Sequence, residues 1–371
     1  MDQPALDLWH MRRALDLASF GQGSVEPNPM VGCVIARGAE TIGEGWHRRY
    51  GSPHAEVEAL AVAGPRAAGA TMYVTLEPCC HHGKTPPCTT SVIASGVKRV
   101  VVAMRDPFPA VAGKGLAELA AAGLSCESGV LESESRSLNA PYLKLIEIGR
   151  PWVIAKWAMT LDGKIATGTG SSRWISNDSS RRIAHGLRGR VDAILVGRGT
   201  VEADNPLLTA RPAGPRIAAR VALDSDAQLS PTSQLVLTAR EMPVIVATAA
   251  SADATRAAAL RDAGCEVLAL TGVSYAERLA ELLDALGRRR MTNVLVEGGS
   301  RLLGECFDAD LIDEVHVFVA PKCVGGHDAL SPIGGSGRRD MVDAPRIMQP
   351  VWENIDGDLY VHGTTHPSHH A

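Results

Sequence analysis

Leu8, Met11, Leu15 and Ala18 recur at helical spacing between Asp7 and Ser19, which predicts a helix with one apolar face. PNPMVGCVIARGAETIGEGWH, residues 27–47, predicts two strands joined by a turn at Arg37-Gly38. HAEVEALAVAG, 54–64, predicts a helix stopped by Gly64, and ATMYVTLEP, 70–78, a strand. TTSVIASG, 89–96, reads as a helix and VKRVVVAM, 97–104, as an apolar strand. GKGLAELAAAGLSCESGV, 113–130, closes the region with a helix and a short strand. Strands alternating with helices imply an α/β domain with a largely parallel edge.

SRSLNAPYLKLIEIG, 135–149, has helical spacing, and Gly149-Arg150-Pro151 ends it. A domain boundary is placed there, with domains at 1–147 and 148–371. WVIAKWAMTLDGK then starts a new strand and turn. Further strands are expected at VDAILVG, PRIAARVALD, PVIVAT, CEVLAL, TNVLVEGG and DEVHVFVAP, with helices between several of them. This is a second α/β unit with an open sheet, and no repeat relates the halves. Residues 215–290 are expected to build sheet and helices only. The polar tail HPSHHA, 366–371, reads as a frayed end, its histidines at most an adventitious metal site.

The chain has 371 residues, 45% of them apolar and 21% charged, so packed cores are expected. The net charge of −4 gives no global reason to expect nucleic acid or an anionic membrane as partner. Local basic residues leave a phosphorylated small substrate open. The N-terminus carries acids and no apolar run long enough for a signal peptide, and no stretch reaches a membrane span. Eight scattered cysteines with one cluster favour a reducing cytoplasm and a metal site over a disulfide framework.

That cluster is EPCCHHGKTPPC, 77–88. Its prolines lack backbone donors and its glycine favours a turn, so neither a helix nor a central strand can run through it. His54, Cys79 and Cys88 form a three-ligand set for Zn²⁺, which in a catalytic site leaves one position for water. Such a water drops from a pKa of ~15.7 towards ~7. Glu56, two residues from His54, is placed to shuttle protons. The layout is that of zinc nucleobase deaminases, with eight residues rather than two between the cysteines. A structural site with Cys80 as fourth ligand is the alternative. Cys33, Cys80 and Cys126 read otherwise as buried small apolar residues, His82 as a loop residue facing solvent, and Asn28 between two prolines as a turn.

In the second half, 151–211 is dense in Gly, Ser and Thr, residues whose loops approach phosphates closely. Gly168-Thr169-Gly170 lacks the third glycine of a dinucleotide fingerprint. VLVEGGSRLL, 294–303, runs from a strand into a helix whose N-terminus could take an anion. For Arg188 and Arg211 the alternative is plain surface solvation, and for Lys156 an ion pair at a strand end.

PNPMVGC, GWH, HAE and EPCCHHGKTPPC together resemble the deaminase half of the bifunctional riboflavin biosynthesis deaminase/reductase family, over residues 7–147. KWAMTLDGKIA, SSRWIS, VGRGTVEADNPLLTAR and VEGGS resemble its reductase half, over 148–365. The resemblance implies an α/β chain: a cytidine-deaminase-like three-layer α/β/α domain, then a dihydrofolate-reductase-like domain. It implies zinc on His54, Cys79 and Cys88, Glu56 as proton shuttle, and substrate contacts at Asn28, His47, His81, Lys84 and Asp106. In the reductase half it implies NADPH contacts at Ala158, Trp174, Thr200, Gly298, Gly299 and Ser300. The ribose phosphate falls to Ser172, Arg188, Leu208 and Arg211, with Asp204 and Glu297 near the reacting sugar and Lys156 important for reduction. The implied activity removes the 2-amino group of 2,5-diamino-6-ribosylamino-4(3H)-pyrimidinone 5′-phosphate, then reduces the ribosyl group to ribityl. A homo-oligomer formed through the reductase half is implied too. One departure bears on the substrate: the family reads Asp-Pro-Asn-Pro where this chain has Asp106-Pro107-Phe108-Pro109. Competing readings are a paralogue acting on a related pyrimidine nucleotide, an RNA-editing deaminase, and a non-catalytic zinc-stabilised binding protein. The net charge and the long second domain argue against the RNA editor.

Overall fold

The computed structural model describes residues 1–365, so the expectation for the tail lies outside the described residues. Two units separate between Ile148 and Gly149. The first runs α1 (Gln3–Ser19), β1 (Gly32–Arg37), β2 (Glu40–Trp46), α2 (Ala55–Ala63), β3 (Thr71–Leu76), α3 (Cys88–Ala94), β4 (Arg99–Met104), α4 (Lys114–Ala121), β5 (Ser125–Ser128), α5 (Glu132–Leu138) and α6 (Ala140–Ile148). Its sheet has the order β2-β1-β3-β4-β5, with β1 antiparallel to both neighbours and the β3–β4–β5 edge parallel.

Successive strand residues point to opposite faces, and here both faces are covered. Cys33, Ile35, Met72, Val74, Val100 and Val102 pack with Ala55, Ala59, Val92 and Leu119 from α2, α3 and α4. Val34, Ala36, Tyr73, Val101 and Ala103 pack instead with Met11, Ala14 and Leu17 of α1. Burial on both faces is why VVVA in β4 is a continuous apolar run rather than an alternating one.

The buried stripe of α1 differs from the expected one. Met11 and Ala18 are buried, but Leu8 is half exposed and Leu15 only partly covered. The face is completed by Leu6, Ala14 and Leu17 and by two polar residues, Asp7 and His10. Those two are buried because they are paired: Arg99 donates twice to Asp7 at 2.7 Å, Tyr73 donates to it at 2.9 Å, and His10 Nε2 meets the Gly38 carbonyl at 2.8 Å. The single helix expected near 135–149 is two, interrupted at Asn139 (φ −99°, ψ 15°).

The second unit runs β6 (Trp152–Thr160), α7 (Asp178–Arg188), β7 (Ala193–Gly197), α8 (Arg198–Asp204), β8 (Ala219–Leu223), α9 (Gln234–Leu237), β9 (Val244–Ala249), α10 (Ala254–Asp262), β10 (Glu266–Leu270), α11 (Tyr275–Arg288), β11 (Asn293–Glu297), α12 (Ser300–Asp308), β12 (Glu314–Ala320), β13 (Met348–Ile355) and β14 (Asp358–Thr364). Its nine strands have the order β10-β9-β8-β7-β11-β6-β12-β14-β13. From β10 to β12 all neighbours are parallel, and the last two strands are antiparallel. The chain starts at β6 and skips a place to β7; β11 later fills the gap. Loops after β6, β7 and β11 therefore meet at one edge, where open α/β sheets bind ligands.

The hairpin β13–β14 has no counterpart among the expected strands. All but the last residue of β13 is exposed, including Trp352, so it shows no apolar alternation. Its turn, Asp356-Gly357, has φ of 50° and 99°, the Asp-Gly pair that a two-residue hairpin favours.

Candidate active sites

In the first unit, His54 is the N-cap residue of α2 but makes no side-chain capping bond. Its Nδ1 instead lies 3.5 Å from Cys79 Sγ and 3.3 Å from Cys88 Sγ. The close packing of α2 on β2 requires glycine: a Cβ at Gly45 would stand 2.5 Å from the Ala59 nitrogen and 2.6 Å from the Ala55 carbonyl oxygen. Cys88 opens α3, and its N–H points at Cys79 Sγ across 3.4 Å, while the Thr89 N–H bonds the Cys79 carbonyl at 3.2 Å. The irregular loop is thus closed on itself at the two cysteines.

Ligand atoms of His54, Cys79 and Cys88 all lie within 4.8 Å of one another. Zn–S near 2.3 Å and Zn–N near 2.0 Å at a tetrahedral angle give an edge of roughly 3.5 Å, so one nitrogen and two sulfurs at this spacing fit zinc. The Cys88 thiol donates to Cys79 and lowers its pKa, with burial opposing and His54 assisting; Cys88 is raised by the same contact. Cys80 lies outside this set and turns to the Ala110 carbonyl at 3.7 Å. Glu56 is 3% exposed, and burial pushes its carboxyl up against the opposing charge of His54.

Around this centre stand the expected substrate groups. The His47 ring meets His54 edge-on at 5.2 Å; its Nδ1 binds the Pro53 carbonyl at 3.1 Å and its Nε2 lies 3.3 Å from Asn28 Nδ2. His81 Nδ1 is buried with no hydrogen-bond partner among the described residues, and its ring lies 5.7 Å from Phe108. Asp106 is buried; its Oδ1 accepts from the Phe108 N–H and the Tyr142 hydroxyl, both at 2.9 Å. Burial pushes its carboxyl up, and those two donors oppose the rise. Lys84 is exposed, with Nζ 4.0 Å above the Tyr50 ring. Thr85 was not foreseen: its Oγ1 faces His54 Nε2 at 3.4 Å. Glu77 has a structural task, accepting from the N–H groups of Asp106, Gly113 and Leu116.

In the second unit, strand register brings the chemistry together. Glu297 on β11 is the Cα partner of Lys156 on β6, so both side chains leave the same face of the sheet. Arg188, in the last turn of α7, donates to Glu297 bidentately at 2.6 and 2.7 Å. Burial pushes the Glu297 carboxyl up, but the charges of Arg188 and Lys156 prevail and hold it at about 2. The Lys156 ammonium is lowered by burial, with Glu297 opposing and Arg188 adding to the drop. The fork of Arg188 is therefore committed to Glu297 rather than free for a phosphate. Arg211 is exposed, and Leu208 is buried at a positive φ of 53°.

Gly298 and Gly299 have φ of 72° and 82°, and a Cβ on Gly299 would stand 3.1 Å from Thr200 Oγ1. That approach links the β11–α12 turn, with Ser300 opening α12, to Thr200 on α8. Four residues after Thr200, on the same helix face, Asp204 accepts from the Ser172 hydroxyl at 3.3 Å, and its carbonyl accepts from Arg173. Trp174 is exposed with the Arg181 guanidinium 4.5 Å over its ring, and Lys322 holds the Trp174 and Ile175 carbonyls at 2.8 and 3.0 Å. Ala158, two residues after Lys156, shares its strand face and pairs with Phe318. His185 was missed; one turn before Arg188, it binds the Thr209 carbonyl at 3.0 Å, and the spacing of three from Arg188 could have marked it.

Residues 4–104 match the family described as cytidine and deoxycytidylate deaminase zinc-binding region, and residues 151–361 that described as RibD C-terminal domain. The riboflavin biosynthesis protein RibD of Actinobacillus pleuropneumoniae is 41% identical over 95% of this chain and 94% of its own. That of Aquifex aeolicus is 42% identical over 96% and 98%. The structure of Acinetobacter baumannii RibD superposes with a TM-score of 0.85 at 34% identity, covering 98% of this chain and 100% of the other. A diaminohydroxyphosphoribosylaminopyrimidine deaminase/5-amino-6-(5-phosphoribosylamino)uracil reductase from Thermotoga maritima gives 0.84 at 36% identity, over 98% and 100%.

Proposed function

The chain belongs to the RibD family of riboflavin biosynthesis proteins, and from that premise we propose which of its residues carry each of two reactions. It is a bifunctional enzyme, a zinc-dependent deaminase and an NADPH-dependent reductase. The substrate assigned to the first reaction is 2,5-diamino-6-ribosylamino-4(3H)-pyrimidinone 5′-phosphate; the second reduces the ribosyl group of the deaminated product to ribityl. The deaminase is assigned to residues 1–147 and the reductase to 148–371.

His54, Cys79 and Cys88 would hold the zinc, which supplies a Lewis acid that makes a water nucleophilic near neutral pH. Glu56 moves protons at its carboxylate, taking one from the attacking water and giving one to the departing amino nitrogen. Each turnover consumes one water and releases one ammonia. Asn28, His47, His81 and Asp106 orient the pyrimidine, and Lys84 offers its charge to the phosphate.

NADPH supplies the hydride that saturates C1′ of the opened ribosylamine. Ala158, Trp174, Thr200, Gly298, Gly299 and Ser300 form its seat. Asp204 moves the proton of ring opening. Lys156, with Glu297 and Arg188, stands at the reacting sugar. Ser172, Leu208 and Arg211 border the ribose phosphate, and Arg188 holds Glu297 in place.

The observation that carries this reading is the cluster of one imidazole and two thiols beside a buried glutamate. The purified zinc-loaded chain is incubated with the diaminopyrimidinone, without and then with NADPH. Ammonia release first, and NADPH oxidation only after deamination, is the expected result. No ammonia from metallated protein overturns the deaminase assignment. The Phe108 ring against His81 favours a second reading, a related pyrimidine nucleotide as substrate, which wins if only that analogue yields ammonia.

No helix among the described residues is long and apolar enough to cross a membrane, and the eight cysteines are free thiols, in keeping with a cytoplasmic enzyme. A homo-oligomer through the reductase unit is supported by β13, an edge strand with Val351 and Trp352 exposed. A light-scattering mass of one chain would overturn it. The net charge of −4 supports a role without nucleic acid.

A further inference from the structure

Two side chains at the start of α6 reach the segments that carry proposed pyrimidine contacts. Asn139, 1% exposed, lies at the break between α5 and α6. Its Oδ1 accepts from the Met30 N–H at 2.8 Å, and its Nδ2 donates to the Met30 carbonyl at 3.0 Å. A side-chain amide thus makes the paired bonds that a neighbouring strand would make. Met30 stands two residues from Asn28, and the next residue, Val31, accepts from the His47 N–H at 2.9 Å. Asn28 and His47, which face each other, are therefore both tied to the segment that Asn139 grips.

Three residues after Asn139, Tyr142 is buried and donates its hydroxyl to Asp106 Oδ1 at 2.9 Å. The Phe108 N–H takes the same oxygen. Two donors on Oδ1 fix the carboxylate.

We propose that Asn139 and Tyr142 are positioning residues for the deaminase reaction. They set the Asn28 segment and the Asp106 carboxylate, two walls of the pyrimidine site, from the α5–α6 break and the first turn of α6. The inference rests on the reading of Asn28 and Asp106 as substrate contacts. A mispositioned contact loosens ground state and transition state alike, so KM should rise while kcat holds.

The test uses the full-length zinc-loaded chain and follows ammonia release, bound zinc and melting temperature. Tyr142→Phe keeps the ring volume and removes only the donor. It is expected to raise KM about five- to tenfold, with kcat within about twofold and zinc unchanged. Asp106→Ala should raise KM further, and the double variant Y142F/D106A should match D106A alone, because Tyr142 acts through Asp106. Asn139→Ala combined with Asn28→Ala should likewise fall short of additivity. An unchanged KM in Y142F overturns the inference, even with a lowered melting temperature, and so do additive effects in the double variants. If D106A and N28A themselves leave KM unchanged, the contact assignment fails first and the inference falls with it.

Discussion

The deaminase unit gathers its proposed metal ligands from residues 54–88, two helix starts and one closed loop. The reductase unit draws Lys156 from the middle of β6, Glu297 from the end of β11, and Arg188 and Asp204 from two helices, and only a parallel sheet with a skipped position brings them to one edge. The first site is held by short irregular backbone around atoms that a metal fits. The second is held by the Arg188–Glu297 ion pair, with the charge of Lys156 acting on the same carboxylate. Loss of one ligand or acid should therefore silence the first unit chemically, whereas loss of one charge should undermine the second structurally.

The largest effect is expected from Glu56→Gln. It should lower ammonia release by about a hundred- to ten-thousandfold. Reduction of the deaminated pyrimidine should continue at its full rate in the same sample. Chelation of the metal should give the same split, and a parallel fall in both activities would break the contrast between the units.

Glu297→Gln comes next. It leaves Arg188 and Lys156 as partly buried cations without that carboxylate and should cost about 3 kcal/mol of C-terminal stability, the lower end for breaking a buried pair. Calorimetry should show that unit melting earlier, while the N-terminal transition stays in place. An unshifted transition would mean the charge group is not structural.

The acid limb of stability sharpens the same contrast. Glu297 is held at about 2 in the folded state against an ordinary 4.5, so its contribution is complete above 4.5 and is lost as pH falls towards 2. In the N-terminal unit, burial of Asp7 opposes, but Arg99, Gln3 and Tyr73 prevail and lower its carboxyl below 3.8, so its loss lies below that pH. Denaturant midpoints measured through this range should fall for both units. Glu297→Gln should flatten the C-terminal limb only, and Arg99→Met the N-terminal limb only.

The smallest expected effects lie in two hairpin turns. Gly38 (φ 55°) joins β1 to β2 and Gly357 (φ 99°) joins β13 to β14. Alanine at either should cost about 1–2 kcal/mol through the positive φ alone. Nothing lies within 4 Å of a Cβ at either site, so a larger loss in one unit would point to a packing role. Thermal melting of each variant distinguishes the cases.

Much of the first site was legible because its chemistry is local. His54, Glu56, Cys79 and Cys88 stand in short motifs, and the metal-ligand types leave few other readings. The wrong stripe on α1 has a physical origin: Asp7 and His10 are polar, and only their partners Arg99, Tyr73 and Gly38 make them tolerable inside. β13 escaped notice because a strand exposed on nearly every residue has no period to read, although Asp356-Gly357 marked its turn. Asn139 read as part of a continuous helix because nothing nearby in sequence announces that its amide pairs with Met30.

The amino-acid sequence by itself determined the α/β alternation, the proposed ligand set of His54, Cys79 and Cys88, and the motifs of both halves. These follow from residue type and from spacing within a few turns of chain. Tertiary structure decided which arginine is free and which is spent on Glu297, and which polar residues of α1 are inside. It also decided that Asn139, at the α5–α6 break, reaches Met30 and that Tyr142 of α6 reaches Asp106. Those outcomes depend on strand order and on hydrogen bonds between residues far apart in the chain, and no local pattern encodes a partner at that distance.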